Sequence, residues 1–176
     1  PMLDAVIPFS KWIDVFCDKG AFSVEDARVI LKAGMAKGLL PRIHANQLQE
    51  GHGVRLGVEL DAAAVDHVSH LSEKDIEALS TSNTVATLLP GAEFSTRSAY
   101  PDVRPLLEAS ITVALASDCN PGSSYTTSMP FMIAVAQIGT IGGSSLLVLG
   151  MPNWAIYALC TTTTILIMVA INKIVT

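Results

Sequence analysis

The chain has 176 residues, 50% of them hydrophobic and 15% charged, with a formal net charge of −5. That length suffices for one domain with a real core, and the acidic balance leaves no basic footprint for nucleic acid. Three cysteines at unrelated spacings (Cys17, Cys119, Cys160) make neither a disulfide framework nor a C-x-x-C metal site, which fits a reducing, cytoplasmic compartment. The opening "MLDAVIPFS" after Pro1 lacks the basic n-region of a signal peptide, and the start reads as a cut edge in something longer.

In chain order, "WIDVFC" (Trp12 to Cys17) is apolar and strand-like. Ser23 followed by Glu25 and Asp26 opens a helix: a serine cap with acids in the first turn. Val24, Ala27, Ile30, Leu31 and Met35 fall on its inward face, and Gly38 suits the position after its end. "LLPRIHA" (Leu39 to Ala45) is the next strand, and a weaker helix follows around Val54 to Leu60. "AAAVDH" (Ala62 to His67) is strand-like. Ser72 caps a helix with Ile76 and Leu79 inward, and "TVATLLP" (Thr84 to Pro90) is a strand. Pro101 to Ser110 reads as a helix with a proline near its start, and "ITVALAS" (Ile111 to Ser117) as the fifth strand.

Strands alternating with helices predict parallel βα units, hence an α/β fold that is either a doubly wound sheet or a (β/α)8 barrel. Polar residues gather at the C-terminal ends of the strands: Asp18, His44, His67 and Asp118. Those ends meet at one face in parallel α/β folds, and that face holds the site. Two histidines and a carboxylate there suit a metal. Each residue also has a plainer reading. A lone strand-end histidine such as His44 is more often a hydrogen-bonded structural residue. His52 and His70 fit solvated loops. Asp118 before Asn-Pro-Gly fits an Asx-type turn. "NPGSS" is a turn that also offers backbone amides and hydroxyls suited to a carboxylate.

The stretches "DVFCDKGAFS", "RIHANQL", "AVDHVSH", "TVATLLPGAEF" and "SDCNPGSS", in order over roughly residues 12 to 135, resemble imidazolonepropionase, a family of metal-dependent amidohydrolases in histidine degradation. The resemblance implies an amidohydrolase-type (β/α)8 TIM barrel of which residues 1–136 supply about the last five strands. It implies one divalent metal, zinc or iron, held by an HxH pair, a fifth-strand histidine matched by His44 and an eighth-strand aspartate matched by Asp118. Gln47 matches a substrate-contacting position. Asn120, Gly122 and Ser123 match the loop that holds substrate or product, and His67 matches a proton shuttle beside the metal. The implied reaction is hydrolysis of the cyclic amide of 4-imidazolone-5-propanoate to N-formimino-L-glutamate. The family's habit of dimerising implies a homodimer at full length.

The chain departs from that pattern in two ways. It contains no HxH, so half of the implied metal shell is absent, and the isolated chain is expected to be inactive and aggregation-prone. From Cys119 to Asn172 there is no charged residue or histidine, and Trp154 to Ile171 nears the length of a membrane span. Residues 137–176 therefore read as a divergent apolar tail: a buried helix pair, a membrane segment, or out-of-frame or chimeric sequence, the last being favoured and a membrane anchor least. A non-catalytic or membrane-associated fragment retaining the barrel motifs is the alternative function.

Overall fold

Strand β1 (Trp12–Cys17) alternates strictly, with Val15 and Cys17 buried and Trp12, Asp14 and Phe16 turned to the other, open face. The computed structural model describes residues 2–139, so the predicted tail lies, from residue 140 onward, outside the described residues. Helix α1 (Met2–Val6) precedes β1, and α2 (Val24–Met35) follows it. The predicted cap is formed: Ser23 Oγ accepts the Asp26 amide at 3.1 Å. Strand β2 (Leu40–Ala45), α3 (Gly53–Glu59), β3 (Ala64–His67), α4 (Glu73–Ser80) and β4 (Val85–Leu88) continue the alternation. After α5 (Pro90–Thr96) and α6 (Arg104–Glu108) comes β5 (Val113–Leu115), and α7 (Met129–Gly139) closes the described chain.

The strands form one sheet in the order β1-β2-β3-β4-β5, with β1 to β4 paired in parallel. The Ala86 amide donates to the Thr112 carbonyl where β5 joins β4. Strands in sequence order and parallel, each linked by a helix, are a (β/α) barrel arc and not a doubly wound sheet, whose order reverses at a switch point. Helices α2 and α3 cover one face, packing on β1 to β3. Leu31, Ile43, Leu56 and Val65 are fully buried there.

Of the predicted inward face of α2, Ala27 and Leu31 are buried and Val24 and Ile30 half-buried. Met35 is exposed, and Gly34 is buried instead. Ile13 sits where a Gly34 side chain would be, its Cδ1 only 2.4 Å from a β-carbon built on the glycine. The chain then reverses at Gly38, whose φ of +87° favours glycine. The segment read as a strand through Pro90 stops at Leu88, and Pro90 starts α5. The last predicted helix and strand are shorter than expected.

The chain divides into two compact units, one reaching to Leu89 and including Pro105–Ala114, the other made of Pro90–Arg104 and the residues from Leu115. In the second unit α5 packs on α7 through Phe94 and Phe131, rings edge-on at 5.1 Å, with Met132 fully buried. Among the described residues no helix is long and apolar enough to cross a membrane.

The core of the first unit depends on Leu31. Leu31→Ala is expected to cost about 2–5 kcal/mol, through lost burial and the cavity left behind. Urea unfolding of the chain measures this as a lower midpoint at unchanged slope.

Candidate metal centre

In the first unit the open face of the sheet carries the chemistry. His44 is on β2, and β1 pairs with it so that Phe16 lies opposite His44 and Asp14 opposite Arg42. On the next strand Asp66 lies opposite His44. Side chains alternate along a strand, so Asp14, Arg42, His44 and Asp66 share one face. His67 ends β3, is 2% exposed, and meets His44 edge-on with ring centres 5.4 Å apart. The structure thus brings together the two histidines that the sequence singled out.

Three further residues on this face were not singled out. Asp14 approaches His44 Nδ1 with its two oxygens at 3.1 and 3.0 Å. Asp66, almost wholly buried, accepts from Arg42 Nη2 with both oxygens, at 2.9 and 3.0 Å. Its nearest approach to His44 Nδ1 is 3.8 Å, too far for a hydrogen bond. The Arg42 guanidinium also lies 5.9 Å from the Trp12 ring centre. Asp14, His44 and Asp66 could each offer a ligand atom within 4.8 Å of the others. Their carboxylates already serve two separate partners, Asp14 the Nδ1 of His44 and Asp66 the Arg42 guanidinium.

The strand ends are held by a second set of polar contacts. Asp18 Oδ2 accepts the amides of Gln47 at 2.7 Å and Leu48 at 3.1 Å, and its Oδ1 accepts the Lys19 amide. Asp18 stood out in the sequence only as a polar strand end. Here it fixes the loop that carries Gln47. Asn46, buried at φ +56°, donates to the His70 carbonyl and lies 3.4 Å from Asp75 Oδ2. The fully buried Asp75 accepts from Arg55 Nε and from the Ser72 amide and hydroxyl, completing the capping box of α4. His70 and His52 are exposed, in line with their solvated reading, and His52 stands at the start of α3. Burial first, then Asp18 and Glu25, pushes the thiol pKa of Cys17, at the end of β1, up.

Backbone strain concentrates at the same edge. His67 (φ +78°) and Val68 (φ +50°) are both left-handed, a costly conformation for side chains branched or ringed close to the backbone.

In the second unit Asp118 follows β5 by three residues, at φ +44°. Asn120 organises the loop around it. Asn120 Nδ2 donates to the Asp118 carbonyl at 2.6 Å and contacts its carboxylate at 3.2 Å. Asn120 Oδ1 accepts the amides of Gly122 and Ser123, both at 2.8 Å. Ser124 Oγ, buried, donates to the Ser117 carbonyl at 2.6 Å. The loop amides that suited a carboxylate in the sequence reading are therefore held by Asn120.

Imidazole nitrogens with carboxylate oxygens suit a divalent metal such as zinc or iron. The residues fit one. Nδ1 of His44 meets the Asp14 carboxylate, the kind of partner that commonly orients a metal-bound histidine through its other ring nitrogen.

Comparison with solved structures agrees with the fold. An adenosine deaminase from Xanthomonas campestris with bound zinc superposes with a TM-score of 0.57 at 13% identity, over 77% of this chain and 33% of its own. The ochratoxinase of A. niger gives 0.55 at 18% identity, over 76% and 35%. Arabidopsis ADAL complexed with IMP gives 0.60 at 14% identity, over 94% and 48%. The chain is thus α/β, with the parallel sheet and helices of a partial (β/α)8 barrel.

Within that class the particular likeness is to imidazolonepropionase. The enzyme of that name from Mycolicibacterium smegmatis is 65% identical over 135 residues, 77% of this chain and 34% of its own length. Those of Rhodococcus jostii and Streptomyces coelicolor are 64% and 65% identical over the same share of the chain. The resemblance carried by the motifs therefore holds over most of the chain, which spans about a third of the length of these curated relatives. No family model matches the sequence.

Asp18→Ala removes the acceptor shared by the Gln47 and Leu48 amides. Hydrogen exchange at these two amides is expected to quicken by about tenfold or more, as befits bonds to a charged acceptor, while β1 and β2 keep their protection.

Proposed function

We propose that this chain is the C-terminal barrel portion of an imidazolonepropionase, a cytoplasmic enzyme that opens the cyclic amide of 4-imidazolone-5-propanoate to N-formimino-L-glutamate. The observation that carries the reading is the 65% identity to an imidazolonepropionase over a segment that includes a pair of strand-end histidines in ring contact. His44 and Asp118 are the ligands this chain contributes to one divalent metal, zinc or iron. When bound, such a metal polarises a carbonyl oxygen and brings the pKa of water toward neutrality.

The chain's own residues do the rest. Asp118 takes the proton lost as water adds to the ring carbonyl carbon. His67 returns a proton to the ring nitrogen as the C–N bond breaks, so the carbonyl carbon leaves as a carboxylate and the nitrogen as the formimino group. Burial of His67 beside His44 keeps its ring in one place for that transfer. Gln47 contacts the substrate from a loop held by Asp18. Asn120, Gly122 and Ser123 hold the propionate, which then competes with Asn120 Oδ1 for the two amides.

The test supplies what this chain lacks. The matched 135 residues of the Mycolicibacterium smegmatis imidazolonepropionase are replaced by those of this chain. The chimera is expected to bind about one metal per subunit and to consume the imidazolone. Asp118→Ala is expected to lower metal content and rate together. His67→Gln is expected to retain the metal while kcat falls by about 100- to 10,000-fold. A folded, metal-loaded chimera that leaves the imidazolone intact would overturn the substrate assignment.

A further inference from the structure

We propose that Asp14 is a positioning residue for the metal: it accepts the Nδ1 proton of His44, fixes that tautomer and ring plane, and so presents Nε2 as the ligating nitrogen. The proposal rests on the reading of His44 as a ligand and adds a residue to it.

The geometry singles out Asp14 from the two carboxylates near the ring. Both Asp14 oxygens lie within hydrogen-bond distance of Nδ1, at 3.1 and 3.0 Å. Asp66 stops at 3.8 Å, and both of its oxygens are engaged by Arg42. Arg42 thus neutralises the buried carboxylate and keeps it from competing for the imidazole. Asp14 comes from β1 and His44 from β2, two residues off direct register and on the same face, so the sheet itself sets their separation. A neutral imidazole has one donor and one acceptor nitrogen, and a carboxylate only accepts. Contact with Asp14 therefore places the proton on Nδ1 and the lone pair on Nε2. Loss of such a partner commonly weakens metal binding by about 10- to 100-fold.

Two measurements test this. In the metal-free full chain, at a pH where the imidazole is neutral, 15N shifts report the tautomer of His44. The proton is expected on Nδ1, and an Nε2–H tautomer would overturn the proposal. Zinc affinity is then measured by chelator competition, in the full chain and in the chimera, for Asp14→Ala and Asp14→Asn. Asp14 is 40% exposed on the open face, so neither change disturbs the packed side of β1, which unfolding curves verify. Asp14→Ala is expected to weaken zinc binding by about 10- to 100-fold, and Asp14→Asn, whose amide oxygen still accepts, by clearly less. Affinities within about twofold of wild type in both variants would overturn the proposal and leave the ligand reading standing. Absence of zinc uptake by the wild-type sequence in both settings would instead overturn the ligand reading, and the proposal with it.

Discussion

Parallel pairing is the constraint on which everything else depends. Once β1 to β4 run the same way, each strand must end at the same edge of the sheet, and the residue that ends it must serve that edge. A helix is needed to bring the chain back for the next strand, and the apolar faces of α2 and α3 seal one side of the sheet. The other side is left for side chains that a sealed core would reject. Arg42, His44 and Asp66 are such side chains: Arg42 hydrogen-bonds Asp66, and His44 hydrogen-bonds Asp14 of the neighbouring strand.

A sheet edge made of loops needs its own scaffold, and carboxylates supply it. Asp18 grips the loop after β2 by two amides, and Asp75 reaches the same loop through Asn46 while tying α3 to α4 through Arg55. Asp75 is fully buried, yet several donors converge on it, so its charge is compensated. Beside these anchors His67 and Val68 hold left-handed backbone, flanked by the Val68 amide on the Ala45 carbonyl and Asn46 on the His70 carbonyl.

How much of this the sequence discloses depends on the range over which each feature is decided. The first three strands and the capped helices α2 and α4 are legible because short apolar runs and Ser caps are local. The start of α5 is hidden because Thr84 to Pro90 is an uncharged, strand-like run whose last residue opens a helix. Met35 lies at a proper helical interval from Leu31, but the face of α2 is decided by Ile13, more than twenty residues away, pressing on Gly34. His44 and His67 could be picked out as strand ends. Their partners could not: that Asp14 meets His44 and that Arg42 meets Asp66 follows from strand register, which no local pattern encodes. The Asn-Pro-Gly turn was legible as a turn, whereas the acceptor of its amides was not.

That last detail has a consequence for recognition. The Asn120 side chain already plays the part of an anion, its oxygen seated on the amides of Gly122 and Ser123. A loop held by an internal mimic is ordered before any guest arrives, so little entropy is lost when one does. The same mimic sets a threshold. A neutral amide oxygen is the weaker acceptor, and a full negative charge is needed to dislodge it with a gain. If the loop holds a propionate as proposed, discrimination in favour of a charged end group comes from exchange of one acceptor for a better one, and compounds ending in a hydroxyl or an amide leave the latch shut.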